Sequence, residues 1–188
     1  MTRDDTLMRS LSELAPPLFI FGGMAEDVLF HGHPRWPHSD LDAFIFRDEV
    51  ELRLAQFARL GYTDFDVWYQ PRPGLPAVFH ASGPGLDLEA SVLDRDAAGA
   101  HFIMEDLTGR LYRVYLPADA FSHPPVQVDG LIYRIVSPLA LYQTRAAVEA
   151  LGVFGPPRPK DGAAQERLRR IYLANRDDIE RAPRIVPL

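Results

Sequence analysis

A glycine pair between two predicted elements, followed by a pair of aspartates, constrains this 188-residue chain more than any other feature. Gly22 and Gly23 follow the apolar run 18–21, which predicts a buried strand, and precede residues 24–31, which predict a helix closed by Gly32. At such a junction, backbone N–H groups can approach a phosphate closely, and the helix dipole favours an anion. A glycine pair alone more often marks a turn, so the phosphate-binding interpretation depends on the aspartates that follow.

Asp40 directly precedes the next predicted strand, residues 41–46, which is apolar apart from Asp42. Residues two apart in a strand project from the same face, about 6.6 Å apart along the chain. Two carboxylates placed in this way can hold a pair of Mg²⁺ ions, and the cations relieve the repulsion between like charges. Asp-x-Asp alone is more often an exposed strand face, so a second acidic strand is needed to complete a metal site.

A second acidic strand is predicted at residues 86–93, where Asp87 and Glu89 alternate with apolar side chains. It follows the predicted strand 76–81 after a Ser-Gly-Pro-Gly connection, which predicts a β-hairpin. If the strand is a neighbour of the Asp40 strand in one sheet, three or four carboxylates converge. The sequence does not state the strand order, so this adjacency is a hypothesis.

The segment 19–46 contains a motif that fixes several positions at once. In order, it reads Gly22-Gly23-Met24-Ala25, then Gly32, then Arg35-Trp36-Pro37-His38-Ser39-Asp40-Leu41-Asp42. This motif resembles the core of the DNA polymerase β-like nucleotidyltransferase superfamily, and in particular the small aminoglycoside and lincosamide nucleotidyltransferases. Two positions depart from the family pattern: Met24 stands where Ser or Trp is usual, and Gln165 stands where a second Asp of the final helix is common.

The resemblance implies an α+β nucleotidyltransferase fold, with a mixed twisted β-sheet flanked by helices and a helical C-terminal part. It implies that Asp40, Asp42 and Asp87 bind Mg²⁺, as two ions. An acceptor hydroxyl would then attack the α-phosphorus of a nucleoside triphosphate, and pyrophosphate would leave. Asp87 or Glu89 is the candidate general base toward that hydroxyl.

The resemblance also suggests a set of nucleotide-binding residues, namely Gly22, Gly23, Arg35, His38, Ser39 and Lys160. Arg35 and Lys160 are candidates for steering phosphates, and a solvated surface role is equally compatible with either. His38 is expected mainly to orient its loop through a hydrogen bond.

The acceptor implied by the resemblance is a small molecule, such as an aminoglycoside or a lincosamide-like antibiotic. A polycationic aminoglycoside would suit an acidic pocket, to which Asp64, Asp66, Glu105 and Asp106 are candidates to contribute. Two other hypotheses stay open. In the first, the chain is a catalytically silent binding or regulatory protein of this fold. In the second, it is a toxin-like enzyme that nucleotidylates protein or RNA.

Other segments give expectations about the core. The predicted strand 63–69 alternates so that Phe65 is expected to pack inside, while Trp68 is equally compatible with the core and with stacking on a base or acceptor ring. The predicted helix 48–60 turns Val50, Leu54 and Phe57 inward. Strands are predicted at 111–116 and 131–136, and Ser137-Pro138 opens a helix to residue 151.

The domain organisation predicted is a core over residues 1–136 and a C-terminal helical segment over 137–188. A leucine stripe predicts a first helix at 4–15, and a proline-rich link at 152–159 leads to a last helix at 162–174. The net charge of −6 disfavours nucleic acid as the main partner. The absence of cysteine, of a signal-like N-terminus and of an apolar run near ~20 residues predicts a cytoplasmic protein without a membrane span.

Overall fold

The computed structural model describes residues 9, 11–35, 38–83, 85–153 and 159–188, and leaves out the side chains of residues 178 and 179. Residues 4–8 and 10 of the predicted first helix lie outside the described residues, as do residues 154–158 of the predicted link. Within the described ranges the chain is a mixed sheet with helices, so the predicted α+β class is confirmed. None of the helices described is long and apolar enough to cross a membrane.

The strands and helices are labelled in chain order. The strands are β1 (Phe19–Ile20), β2 (Asp40–Phe46), β3 (Thr63–Tyr69), β4 (Val78–Ser82), β5 (Asp87–Asp96), β6 (Gly99–Glu105), β7 (Leu111–Tyr115), β8 (Val126–Val128), β9 (Leu131–Tyr133) and β10 (Arg184–Pro187). The helices are α1 (Gly22–His31), α2 (Val50–Arg59), α3 (Pro138–Leu151), α4 (Pro159–Tyr172) and α5 (Asp178–Arg181). A 3₁₀ turn, Arg47–Glu49, leads into α2.

The first of two compact units comprises Met1–Leu93 and Pro124–Val136. Its sheet has the strand order β1-β2-β5-β4-β3, in which only β2 and β5 pair in parallel. Strands β4 and β5 pair antiparallel, so the predicted hairpin is confirmed. Strands β8 and β9 form a separate two-stranded sheet.

Alternation along β2 and β5 divides their side chains between the core and one open face. Leu41, Ala43, Leu88 and Ala90 are all at most 1% exposed. The acidic residues between them are only half-buried and lie on the opposite face. The apolar side chains of each strand therefore pack in the core, and this packing fixes the position of the acidic side chains on the opposite face.

The second unit comprises Asp94–His123 and Ser137–Leu188. In it the end of β5 pairs with β6, β6 with β7, and β7 with β10, all antiparallel. Helix α3 begins as predicted, because the Ser137 hydroxyl accepts a hydrogen bond from the N–H of Ala140 and Pro138 occupies the first turn. One border between the two units falls after residue 136, and residues 94–123 group with the C-terminal part. The predicted division into a core over 1–136 and a helical segment over 137–188 stays a prediction.

Two expectations about the core were wrong. Phe65 does not pack inside: β3 is bonded to β4 alone among the described strands, and six of its seven residues are exposed. On α2, Phe57 is buried as expected, but Val50 and Leu54 are only half-buried and Arg53 is the other buried residue.

Arg53 is 1% exposed and is held by a complete set of acceptors. Its guanidinium donates to the carbonyl oxygens of Pro16 and Pro17 at 2.8 and 3.1 Å, and it pairs with Glu49 at 3.0 Å. A guanidinium has five donors in a rigid fork, so a single side chain can tie the segment before β1 to α2. Sequence periodicity cannot identify such a residue, because it assigns arginine to the surface.

Arg53→Ala should lower the free energy of unfolding by about 3 kcal/mol, because the carbonyl oxygens of Pro16 and Pro17 and the carboxylate of Glu49 lose a buried donor together. Arg59→Ala, at an exposed position of the same helix, should change it by no more than about 0.5 kcal/mol. Urea unfolding followed by circular dichroism measures both variants. A loss in the first variant no greater than in the second would contradict the assigned role.

Candidate active site

Four carboxylates lie side by side because β2 and β5 pair in parallel and in register. Asp40 is the register partner of Asp87, and Asp42 is the register partner of Glu89. Neighbouring strands lie about 4.8 Å apart, and partners in register project from the same face. The strand adjacency that the sequence left open is therefore present in the structure.

The negative charge of this cluster of four carboxylates affects the pKa of Glu89. Burial raises the pKa of its carboxyl above the usual value, the negative charge of Asp40 raises it further, and His80 opposes the shift. A half-buried carboxylate beside like charges is costly to ionise unless a cation or proton compensates it. The environment of Glu89 therefore favours either its protonated form or a nearby cation.

The carboxylate of Asp87 contacts residues of β4 and of the turn between β4 and β5. Its Oδ1 accepts a hydrogen bond from the N–H of Gly83 at 3.3 Å, and its Oδ2 lies 3.9 Å from Nε2 of His80. His80 is also the register partner of Glu89 across β4 and β5. We did not identify His80 from the sequence, although its place between the buried Phe79 and Ala81 was a usable signal.

Tyr62 is a second residue that the sequence did not single out. Its side chain is 2% exposed, and its hydroxyl has no hydrogen-bond partner among the described residues. Burial raises the pKa of this hydroxyl, and the charge of Asp87 raises it further. A β-carbon added to Gly83 would lie 2.6 Å from the Tyr62 ring, so the turn that holds Asp87 packs directly on this tyrosine.

Gly22 places the N-terminus of α1 against Asp42. The helix begins at Gly22, which has a φ of 66°, and the residue before it provides no side-chain cap. The N–H of Phe21 donates to the carbonyl oxygen of Asp42 at 3.0 Å. A β-carbon on Gly22 would lie 1.9 Å from Oδ2 of Asp42, so only glycine permits this approach. The predicted phosphate-binding turn and the predicted metal-binding aspartate are thus in contact.

Asp27, on α1, organises the loop between the helix and β2. It accepts hydrogen bonds from the backbone N–H of Arg35 at 2.9 Å and from Nε of Arg35 at 3.4 Å, and its Oδ2 lies 3.1 Å from Nε2 of His38. The His38 ring lies 3.9 Å from the position of a β-carbon on Gly23. Asp27 was also missed by the sequence analysis. The predicted nucleotide-binding roles of Arg35 and His38 stay predictions.

Other predicted residues have distinct places. Ser39 is exposed, and its carbonyl oxygen accepts from the N–H of Asp87 at 3.1 Å. Lys160 is exposed on α4, in the second unit. Met24, which departs from the family pattern, is 1% exposed and packs in the core.

Of the candidate acidic-pocket residues, Asp64 and Asp66 are exposed on β3 in the first unit, whereas Glu105 and Asp106 belong to the second. Asp106 is engaged in its own turn. Its carboxylate accepts from the Thr108 hydroxyl at 2.6 Å, and this hydrogen bond is the largest cause that lowers the pKa of Asp106 to about 2.

Carboxylate oxygens are the donors that Mg²⁺ prefers, so the residue types fit the predicted metal. Among the described residues, however, no group of three or more acidic, histidine or cysteine side chains converges on one point. Asp87 turns toward Gly83, and Asp42 lies against Gly22. Asp40, Asp42 and Asp87 therefore remain predicted ligands.

In fold, the chain is similar to two solved structures of the antibiotic-resistance factor ANT(2'')-Ia, an aminoglycoside nucleotidyltransferase. The solution structure matches with a TM-score of 0.68 at 16% identity, over 95% of this chain and 89% of that chain. The crystal structure, in complex with adenylyl-2''-tobramycin, matches with a TM-score of 0.62 at 16% identity, over 95% of this chain and 92% of that chain. No protein-family model and no curated protein matches the chain. The predicted nucleotidyltransferase fold is confirmed, and at this identity the likeness shows the fold alone.

Gly22→Ala should lower the free energy of unfolding by about 2–5 kcal/mol, because a left-handed backbone and a clash with Asp42 add together. Gly32→Ala is the matched control: its φ is 77°, but nothing lies within 4 Å of an added β-carbon. This substitution should lower the free energy of unfolding by only about 1–2 kcal/mol, which is the effect of the left-handed backbone alone. Urea unfolding compares the two variants, and equal losses would argue against the close approach of Gly22 to Asp42.

Asp40→Asn should lower the pKa of Glu89, because one of the two causes that raise it is the charge of Asp40. The pKa should stay above the ordinary value for glutamate, since burial is the larger cause and the substitution keeps it. Carbon-detected NMR titration of the side-chain carboxyl measures the shift. Asp48→Asn, at an exposed position of the 3₁₀ turn, should leave the pKa of Glu89 unchanged, and an unchanged pKa in Asp40→Asn would refute the coupling.

Proposed function

We propose that this protein is a Mg²⁺-dependent nucleotidyltransferase, which moves a nucleoside monophosphate from a nucleoside triphosphate to a hydroxyl of a small molecule and releases pyrophosphate. The observation that carries the proposal is the contact of Gly22 with Asp42 beside the in-register pairs Asp40–Asp87 and Asp42–Glu89. A helix N-terminus, which favours anions, adjoins carboxylates, which favour cations, and a metal–triphosphate complex requires both.

Asp40, Asp42 and Asp87 would hold the metal ions. The bound ions would neutralise the triphosphate and stabilise the charge that develops during the in-line displacement. The N–H groups of Gly22 and Gly23 would bind phosphate oxygens at the start of α1. Arg35 is 59% exposed and would reach a phosphate while its backbone N–H stays bonded to Asp27.

Glu89 is the general base that we propose for the acceptor hydroxyl. Its raised pKa brings it closer to neutral pH than an ordinary carboxyl, which makes it a better proton acceptor. Asp87, its neighbour two residues earlier, is then left to the metal. As the hydroxyl oxygen forms its bond to the α-phosphorus, its proton passes to Glu89 and the bond to the pyrophosphate oxygen breaks.

The acceptor that we propose is an amine-bearing antibiotic, an aminoglycoside or a lincosamide-like compound. Support comes from the fold it shares with ANT(2'')-Ia, whose crystal structure holds an adenylylated tobramycin. The chain itself is acidic, and Asp64 and Asp66 are exposed in the same unit as the carboxylate cluster. We place the reaction in the cytoplasm, where nucleoside triphosphates are abundant.

The alternative of a catalytically silent protein rested on Met24, which lacks the side chain usual in the family, together with the unassigned general base. Because Met24 is buried in the core, it is not a phosphate-facing position that has lost its function. No observation on the described residues favours a protein or RNA acceptor over a small molecule.

Pyrophosphate release from ATP or GTP with tobramycin as the acceptor should require Mg²⁺ and should stop when EDTA is added. Asp40→Asn and Asp42→Asn should each reduce the rate by at least about a hundredfold, because each removes a charge that holds the metal. Asp48→Asn serves as the charge-matched control. Titration calorimetry with non-hydrolysable ATP and GTP analogues, with and without Mg²⁺, measures the binding step separately. A folded protein that binds neither analogue would refute the proposal.

A further inference from the structure

Strand β3 exposes more apolar surface than an edge strand should. Phe65, Val67 and Trp68 are 36%, 39% and 60% exposed. The strand also contains two irregularities in its pairing with β4, one between Thr63 and Asp66 and one between Val67 and Tyr69. In the second, β3 advances by two residues while β4 advances by one, so Trp68 is the extra residue of a β-bulge.

A β-bulge redirects a side chain, and bulges are frequent beside active sites. Here the redirected side chain is Trp68, and its ring lies 6.0 Å from the ring of His80, tilted by 59°. His80 in turn lies 3.9 Å from Asp87 and is the register partner of Glu89. The indole is therefore separated from the carboxylate cluster by one imidazole ring.

Asp66 lies on the same face of the sheet. Its register partner on β4 is His80. His80 pairs in turn with Glu89 on β5, and Glu89 pairs with Asp42 on β2. One row of side chains thus crosses four strands, from the glycine turn at one end to an exposed carboxylate and an exposed indole at the other. The row has the proposed phosphate-binding turn at one end and, beyond the proposed base, an end suited to a different ligand.

We propose that Trp68 is an acceptor-binding residue, on whose indole the acceptor packs a saturated ring, and that Asp66 pairs with an ammonium group of that ring. The apolar face of a sugar ring packs on an aromatic ring, and a nearby cation adds attraction to the indole. This specificity-determining role rests on the proposed function. It assigns β3 to the acceptor and names its class as amine-bearing cyclic polyols.

A small molecule fits this strand better than a second copy of the chain. Edge-to-edge pairing needs a regular, uncharged strand, and bulges and charges are the features that prevent it. β3 has two bulges, and Asp64 and Asp66 are exposed on it. Its exposed apolar side chains are therefore poorly placed for pairing with another strand.

The test is tobramycin binding, measured by calorimetry in the absence of nucleotide and Mg²⁺ so that it does not depend on transfer. Trp68→Ala should weaken binding by about tenfold or more, and Trp68→Phe, which keeps an aromatic ring, should weaken it less. Leu52→Ala is the matched control, since Leu52 is an apolar residue 47% exposed on α2, and it should leave the affinity unchanged. In the transfer assay, Trp68→Ala should raise KM for tobramycin and leave KM for the nucleotide unchanged.

Asp66→Asn tests the charge. It should weaken the binding of tobramycin, which is polycationic, more than that of lincomycin, which has one basic amine.

If the wild type does not bind tobramycin, or if Trp68→Ala binds it like the wild type, the role of Trp68 is refuted. A change of oligomeric state in Trp68→Ala at unchanged affinity would also refute it and would assign β3 to self-association. Nucleotide-analogue binding and pyrophosphate release report on the proposed function separately, so tobramycin binding without transfer would preserve the acceptor site and reject the activity.

Discussion

The parallel, in-register pairing of β2 with β5 is the constraint on which the rest of the site depends. It brings residues from distant parts of the chain, Asp40 with Asp87 and Asp42 with Glu89, onto one face of one sheet. A slip of one residue would send one strand's acidic side chains into the core and its leucines out. The buried Leu41 and Leu88 make that slip prohibitively costly, so the hydrophobic core fixes the arrangement of the carboxylates.

The contact between Gly22 and Asp42 joins a predicted phosphate-binding turn to a predicted metal ligand, which are separate in sequence. A helix N-terminus attracts phosphate, and a carboxylate attracts a metal, so alone they favour opposite charges. A metal–triphosphate complex carries both charges and is the ligand for which their proximity is an advantage. The network around Asp27 supports this junction, because it holds the loop that leads from α1 into Asp40.

The sequence predicted those parts of the site that depend on local pattern. Alternation placed Asp87 and Glu89 together, and the glycine pair marked the start of α1. It could not supply the order of the strands, because parallel pairing joins segments that only the tertiary fold brings together. Strand β6 was missed for a related reason: residues 101–104 are all buried, so the polar alternation that marks a one-sided strand is absent. His80 was not identified because alternation predicts only the face on which it lies, whereas its position beside Glu89 depends on the pairing of β4 with β5.

The wrong expectation for Phe65 has a different origin. Alternation predicts which side chains share a face, and it predicts burial only when something covers that face. Strand β3 pairs with β4 alone in the part of the chain that the structure describes, and its two bulges interrupt the pairing that would have kept one face regular. Apolar side chains on such a strand contribute little to the core, yet they add exposed surface that tends to promote aggregation. The position of the exposed Trp68 beside His80 is therefore better explained by a ligand that covers the indole than by folding.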